Sequence, residues 1–353
     1  MMARAVLRQA LLGCLTVLLV ALIAACDSPS RRQHAEFYVF GTSVLLRFQS
    51  SDTQASNVSR EVGQLLQRRH RDWHAWESGA LVTLNKSLAN SRDAVADSSI
   101  ISLIQAGQRY QVASRGLFDP GIGSLVALWG FHTSSYPVRT PAPTDTQIAN
   151  YLQAPPSIAQ LHVDGLTVHS NNAATQLDFG GLAKGAAANE VLALLRAQGV
   201  EHALLELGGD VSAISRAGSA SWRVGIRDPG SSQALAGVLL RNGESLFTSG
   251  TYARYREGPG ARAAHILDPR SGQPARGLRS ASVLSSDALR ADAAATTLIV
   301  AGRDWQQSAR DFEVTEVLVI DEEDVCWTTQ AMAERLIARS PAGERCRVVE
   351  SRD

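Results

Sequence analysis

Residues 176–185, Gln-Leu-Asp-Phe-Gly-Gly-Leu-Ala-Lys-Gly, put a strand (Thr175 to Phe179), a Gly-Gly break and a helix opening near Ala183 in direct succession. Such a junction brings bare backbone and a helix N-terminus against a ligand, the usual way to hold phosphate groups. Lys184 stands at the opening and is one of two lysines, Lys86 being the other; positive charge is elsewhere written as arginine. A tight turn carrying an exposed lysine explains the same letters. Asp292 and Thr296 lie four apart in a helical stretch from Asp287 to Ala301, so both oxygens share a face. A carboxylate with a hydroxyl suits Mg2+, which takes few protein ligands and keeps water and substrate phosphate. A helix-start aspartate and a buried threonine would look identical.

Two further segments carry polar chemistry. Ala264 to Gly272 offers His265 as an acid or base near neutral pH, with Asp268 close by. Its Asp268-Pro269 and Gly272 also make a turn unaided. Phe247 to Tyr252 offers the hydroxyls of Thr248 and Ser249, a bend at Gly250 and the Tyr252 ring, yet it also reads as a strand end. Phe118-Asp119-Pro120 and Leu128 to Phe131 supply turns and aromatics that more often pack a core.

These groups need a frame. The alternation from Glu36 to Phe48, interrupted at Gly41, predicts a strand. Helical spacing runs from Ser59 to Trp76, Ser98 to Ser114 and Asp145 to Leu152. A strand pair spans Leu161 to His169, turning at Asp164-Gly165. The helix opening at Ala183 runs to Gln198 and stops at Gly199. Strands follow over His202 to Leu207 (ending in Gly208-Gly209-Asp210), Trp222 to Arg227, Gly237 to Leu240, Ser245 to Thr248, Ala281 to Ser285 and Val314 to Asp321. Without a strict βαβ rhythm, this predicts an α+β fold with mixed sheets. Pro137, Pro141 and Pro143 mark residues 134–146 as a surface loop and a lobe boundary.

The chain's start reads differently. Arg4 and Arg8 precede an apolar run from Ala10 to Ile23, closed by Ile23-Ala24-Ala25-Cys26. Too short for a comfortable membrane span and followed by small residues, it reads as a secretory signal. Ending in cysteine, residues 1–25 resemble a bacterial lipoprotein signal with Cys26 as the lipidated N-terminus. Asp27 resembles the inner-membrane retention signal of the enterobacterial sorting scheme. Residues 26–36 then read as a flexible tether, 37–340 as the working domain and 341–353 as a tail. Cys326 and Cys346 face an oxidising compartment, where a bridge would staple the tail to the body. No Cys/His set has zinc spacing. With 34 basic against 34 acidic residues and no basic stripe, a nucleic-acid surface is not expected.

Taken in order, Phe-Gly-Thr (40–42), Phe-Asp-Pro (118–120), Leu-Trp-Gly-Phe (128–131), residues 177–185, Leu-Gly-Gly-Asp (207–210), Thr-Ser-Gly-Thr-Tyr (248–252), His-Ile-Leu-Asp-Pro (265–269) and Ala-Asp-Ala-Ala-Ala-Thr (291–296) resemble the ApbE family of FAD:protein FMN transferases. The resemblance spans roughly residues 37 to 303. It implies two packed lobes with the flavin nucleotide between them. It also implies FAD as substrate, Mg2+ as cofactor, transfer of FMN to a threonine or serine hydroxyl of an exported partner, and release of AMP. By motif, Mg2+ falls to Asp292, Thr296 and the Ala183 carbonyl. His265, with Asp268, is catalytic. Gly41, Thr42, Asp178, Gly180, Gly181, Lys184, Gly208, Gly209, Asp210, Thr248, Ser249, Gly250, Tyr252 and His265 line the nucleotide. Implied partners are FMN-binding subunits of Na+-translocating NADH:quinone oxidoreductase or Rnf-type complexes, met at the periplasmic face of the inner membrane. The same site could instead pass water and hydrolyse FAD, or only bind flavin. Phe40, Asn189 and Glu206 depart from the family's frequent methionine, aspartate and asparagine.

Overall fold

The computed structural model describes residues 31–349 apart from 217, 219–220, 259–261 and 342; Cys26 and the signal segment lie outside these. Nine strands form one sheet whose spatial order follows chain order: β1 (Arg31–Val39), β2 (Thr42–Ser50), β3 (Ala203–Leu207), β4 (Asp210–Ile214), β5 (Ser245–Gly250), β6 (Leu278–Ser285), β7 (Glu316–Asp321), β8 (Cys326–Thr329) and β9 (Arg347–Val349). Every neighbouring pair is antiparallel except β8 with β9. The α+β expectation is met.

Both faces of this sheet are covered, and the side-chain period of two divides the strands between them. Leu205, Leu207, Phe247, Ala281, Val283, Val317 and Val319 point into the main apolar cluster. Leu204, Leu246, Leu284, Leu318 and Ile320 point the other way, onto a three-stranded sheet of Trp222–Arg227, Ala234–Leu240 and Leu336–Arg339. Burial on both sides is why Val317 to Ile320 is uninterrupted hydrocarbon. A third, smaller cluster gathers Leu125, Trp129, Phe131, Val138, Ile148 and Leu267. The interior thus holds three apolar clusters.

Three helices matter for the site: α1 (Asp52–Asp72), α2 (Ala183–Ala197) and α3 (Ala288–Ala301). Ser51 accepts from the Gln54 N–H and starts α1 earlier than the apolar spacing suggests. Ala291, Ala293, Ala294, Ala295 and Leu298 are all buried, so α3 is apolar around most of its girth, wedged between α2 and the sheet. Asp287 caps it by accepting from Leu289 N–H at 3.0 Å. Asn189 donates to Asp287 at 2.8 Å and accepts from Ala288 N–H at 3.2 Å, tying the two helices together where the family often has aspartate.

Three expectations need correction. The segment from Thr175 to Phe179 makes one bridge, Gln176 to Ile122, and no strand. Its amides are satisfied instead by the Asn85 side chain, which donates to Leu177 O and accepts from Leu177 N–H, and by Asp178 N–H donating to Pro120 O. β1 begins at Arg31, so residues 31–36 belong to a strand and not to a flexible tether; their polar letters hide the alternation of an edge strand with a wet face. Residues 347–349 pair with β8, and Cys326 and Cys346 form a disulfide, so the tail is sheet edge as far as Val349.

Candidate active site

Five segments converge at one end of the sheet. The β1–β2 turn brings Gly41 and Thr42, and the β3–β4 turn brings Gly208 and Gly209. The end of β5 brings Thr248 to Gly250, α2 brings Lys184, and one face of α3 brings Asp292 and Thr296. Phe40 and Gly41 both have positive φ, 55° and 69°, which a two-residue hairpin of this twist requires. A phenylalanine there is strained; its ring stacks on Trp73 and its N–H donates to His70 Nδ1 at 3.2 Å. Gly208, at φ 63°, lies so close to Thr42 that a Cβ would sit 2.3 Å from Thr42 Oγ1. That contact locks the two turns together.

Lys184 bridges the centre. Its Nζ makes a short ion pair with Asp210 Oδ2 and lies 3.8 Å from Asp292 Oδ1. Asp210, 2% exposed, also accepts from Thr248 N–H at 2.7 Å. Asp292, 3% exposed, accepts at Oδ2 from the Gly185 N–H at 2.9 Å, which sets it two residues from Ala183. Thr296 Oγ1 lies 3.1 Å from Ser249 Oγ, and Gly181 packs against both Thr296 and Phe118. Burial pushes the Asp292 carboxyl up to about 6 against the pull of Lys184, with Asp210 pushing the same way. Burial would depress Lys184, but the Asp210 and Asp292 carboxylates outweigh it and hold the ammonium above its ordinary range. The lysine expected at a phosphate is therefore charged, with one face already bound to carboxylates.

An Asp292 oxygen without a close hydrogen-bond donor and the Thr296 hydroxyl stand on one face of α3, where the Gly185 N–H ties α2 to Asp292, and oxygen donors of this kind fit a hard cation. Among the described residues, no three or more His, Cys, Asp or Glu side chains gather for a metal. The oxygen donors on α3 include one carboxylate, Asp292, and are an arrangement of a different kind. Its geometry depends on how closely α2 meets α3. A Cβ on Gly185 would fall 2.5 Å from Ala288 O and 2.7 Å from Leu289 Cα. Gly185→Ala is therefore expected to lower stability by about 2–3 kcal/mol, read as a lower urea midpoint. An unchanged midpoint would show that this contact is slack.

His265 closes the site. Its N–H donates to Arg254 O at 3.2 Å, and its Nδ1 lies 3.1 Å from the same carbonyl. The Nδ1 proton is therefore fixed on that oxygen, leaving Nε2 free to accept. Burial first, then the Arg254 guanidinium, lower its pKa to about 4, so the ring is neutral at physiological pH. A depressed folded value means that the unfolded chain binds more protons between about pH 4 and the ordinary 6.5. Stability is then full above 6.5 and falls as pH drops toward 4, by at most about 3 kcal/mol. His265→Asn is expected to shallow that slope in urea titrations at pH 7.5 and 4.5. Parallel slopes for variant and wild type would contradict the burial argument.

Asp268 is tied into its own turn. Its carboxylate is gripped by Arg270, Nε to Oδ1 at 3.0 Å and Nη2 to Oδ2 at 2.9 Å, and its carbonyl accepts from Gly272 N–H. These contacts build the turn and occupy both carboxylate oxygens. Trp129 Nε1 donates to Gly272 O at 2.8 Å, and Asp119 accepts from Gly121 and Ile158 N–H, so both act as scaffold. Tyr252 packs on Gly250 with Arg227 over its ring. Glu206 faces Arg47 at 3.7 Å, on the sheet.

Sequence reasoning missed an aromatic column beside the site. Phe40, His70, His74, Trp76 and His132 follow one another in ring contact, ending with Trp76 stacked on His132 at 5.1 Å. His132 Nε2 lies 3.0 Å from Asp178 Oδ2, while Asp178 Oδ1 accepts from Gly180 N–H at 2.8 Å. Burial would raise Asp178, but the His132 bond outweighs it and keeps the carboxylate ionised. The column joins residues from α1, the loop after it and position 132, which no local spacing could connect.

Residues 40–319 match the ApbE family model, a stretch that contains every site segment described above. The chain belongs to the ApbE family. It is 39% identical over 339 residues to an FAD:protein FMN transferase of Rhodobacter capsulatus, covering 95% of this chain and 64% of that protein's length. A Klebsiella pneumoniae FAD:protein FMN transferase is 35% identical over 269 residues, covering 75% of this chain and 81% of the relative. The crystal structure of the ApbE protein of Thermotoga maritima superposes with a TM-score of 0.79 at 26% identity, over 86% of this chain and 99% of the other. The ApbE fold therefore extends over nearly all described elements.

Proposed function

We propose that this ApbE protein is a Mg2+-dependent FAD:protein FMN transferase, a transferase that moves FMN from FAD onto a threonine or serine hydroxyl of an exported acceptor. The observation that carries this reading is the cluster of Lys184, Asp210 and Asp292 beside a neutral His265, within a fold whose curated relatives bear that activity. Asp292, Thr296 and the Ala183 carbonyl would hold Mg2+, which neutralises phosphate charge when bound. The Gly180–Gly181 turn and the N-terminus of α2 receive the pyrophosphate. His265 Nε2 accepts the proton of the acceptor hydroxyl. A new acceptor O–P bond forms at the FMN phosphorus, the P–O bond to AMP breaks, and AMP leaves with the electron pair. Lipidation at Cys26 would place this chemistry on the periplasmic face of the inner membrane, facing FMN-binding subunits of NADH:quinone oxidoreductase or Rnf-type complexes.

The test is FAD with Mg2+, with and without a threonine-bearing acceptor domain of those complexes. Transfer predicts a one-FMN mass gain on the acceptor and AMP release that depends on it. Rapid AMP release with no acceptor would make the protein an FAD pyrophosphatase instead. No AMP under either condition would leave only flavin binding.

A further inference from the structure

Arg254 is a partly buried cation of the site that has no carboxylate partner among the described residues. Lys184 has two carboxylates, and the neighbouring buried Arg256 is spent on the carbonyls of Trp129 and Thr140. Arg254 offers Nη2 to Phe40 O at a long 3.4 Å and lies 5.7 Å from the Tyr136 ring. Among the described residues no carboxylate comes within ion-pair distance of it. Half-burying a guanidinium without a counter-charge is unfavourable unless an anion arrives to complete it.

Its placement says where that anion sits. The guanidinium packs over Gly41, where a Cβ would come within 3.3 Å of Nη2, so the bare turn makes room for it. Its backbone carbonyl is the oxygen that orients His265, and its charge is felt by both His265 and Lys184. The planar fork thus sits at the Gly41 turn, near enough for its charge to act on both the His265 ring and the Lys184 ammonium. A fork of this shape matches two oxygens of one phosphate, which an ammonium cannot do.

We propose that Arg254 is a substrate-binding residue that clamps the diphosphate of the bound dinucleotide. This rests on the flavin-transferase reading and adds to it a residue that none of the sequence motifs singled out. The alternative is that Arg254 only braces the Phe40 carbonyl and the Tyr136 ring.

Affinities for FAD, ADP and riboflavin, measured by fluorescence titration of wild type, Arg254→Gln and Arg254→Lys, separate the two. A diphosphate clamp predicts that Arg254→Gln loses about 10- to 100-fold for FAD and ADP, with riboflavin affinity unchanged. Arg254→Lys, which keeps the charge and the packing stem, should fall in between, and the salt dependence of FAD binding should be shallower in the Gln variant. Equal FAD affinity across all three proteins, or a parallel loss for riboflavin, overturns the assignment. Wild type that binds no FAD overturns the parent reading as well, whereas an indifferent variant of an FAD-binding wild type overturns Arg254 alone.

Discussion

Asp292→Asn is expected to cut AMP release from FAD by at least about 1,000-fold while the protein remains folded, a loss of about 4 kcal/mol of transition-state stabilisation. Asparagine is the informative replacement. Its amide oxygen still accepts from Gly185 N–H, so the α2–α3 junction keeps the bond that sets its spacing. What disappears is the charge of the sole carboxylate in the proposed ion site. Lys184 retains Asp210, and the thermal midpoint should stay within a few degrees of wild type. Isothermal titration with Mg2+ and FAD checks the cause separately from turnover. Wild-type turnover in this variant would remove the ion from the α3 face altogether.

His265→Asn should lower kcat by about 100- to 10,000-fold, the range for loss of a positioned general base, and leave FAD affinity within a few-fold. The asparagine amide can still donate to Arg254 O, preserving the loop, but it offers nothing that takes a proton at the former Nε2 position. Single-turnover measurement with saturating FAD and acceptor isolates the chemical step. If FAD affinity collapsed together with kcat, His265 would be a binding residue and the proton would need another home. Because its carboxylate is bound by Arg270, Asp268→Asn should have a small effect by comparison.

Much of this was legible in the letters, for reasons that differ by residue. The Gly-Gly turn, the Asp292–Thr296 face and the strand read over Val314 to Asp321 rest on local rules of backbone freedom and periodicity, and all three are present in the structure, the strand from Glu316. The cysteine pair followed from compartment chemistry. Partnerships across the chain stayed hidden. Asn85 serves Leu177 from 92 residues away, and in doing so replaces the ladder that a strand would have provided. Lys184 reads as a free cation until Asp210 and Asp292 are folded onto it. Arg254 is unremarkable in an arginine-rich chain and stands out only because, among the described residues, no carboxylate lies within ion-pair distance of it. Asp268 shows the opposite case: its turn-forming neighbours were visible in the sequence, and Arg270, two residues on, is what grips its carboxylate.

The early start of β1 has a consequence for where acceptors must come. With a lipid on Cys26, chain arithmetic allows about 18 Å from the anchor to Arg31 and about 33 Å more along the strand to Gly41. The proposed site could then rise no higher than roughly 50 Å above the bilayer. Substrates held in domains that project beyond that ceiling would be out of reach however well they fit, so altitude as well as sequence would select which proteins receive a flavin.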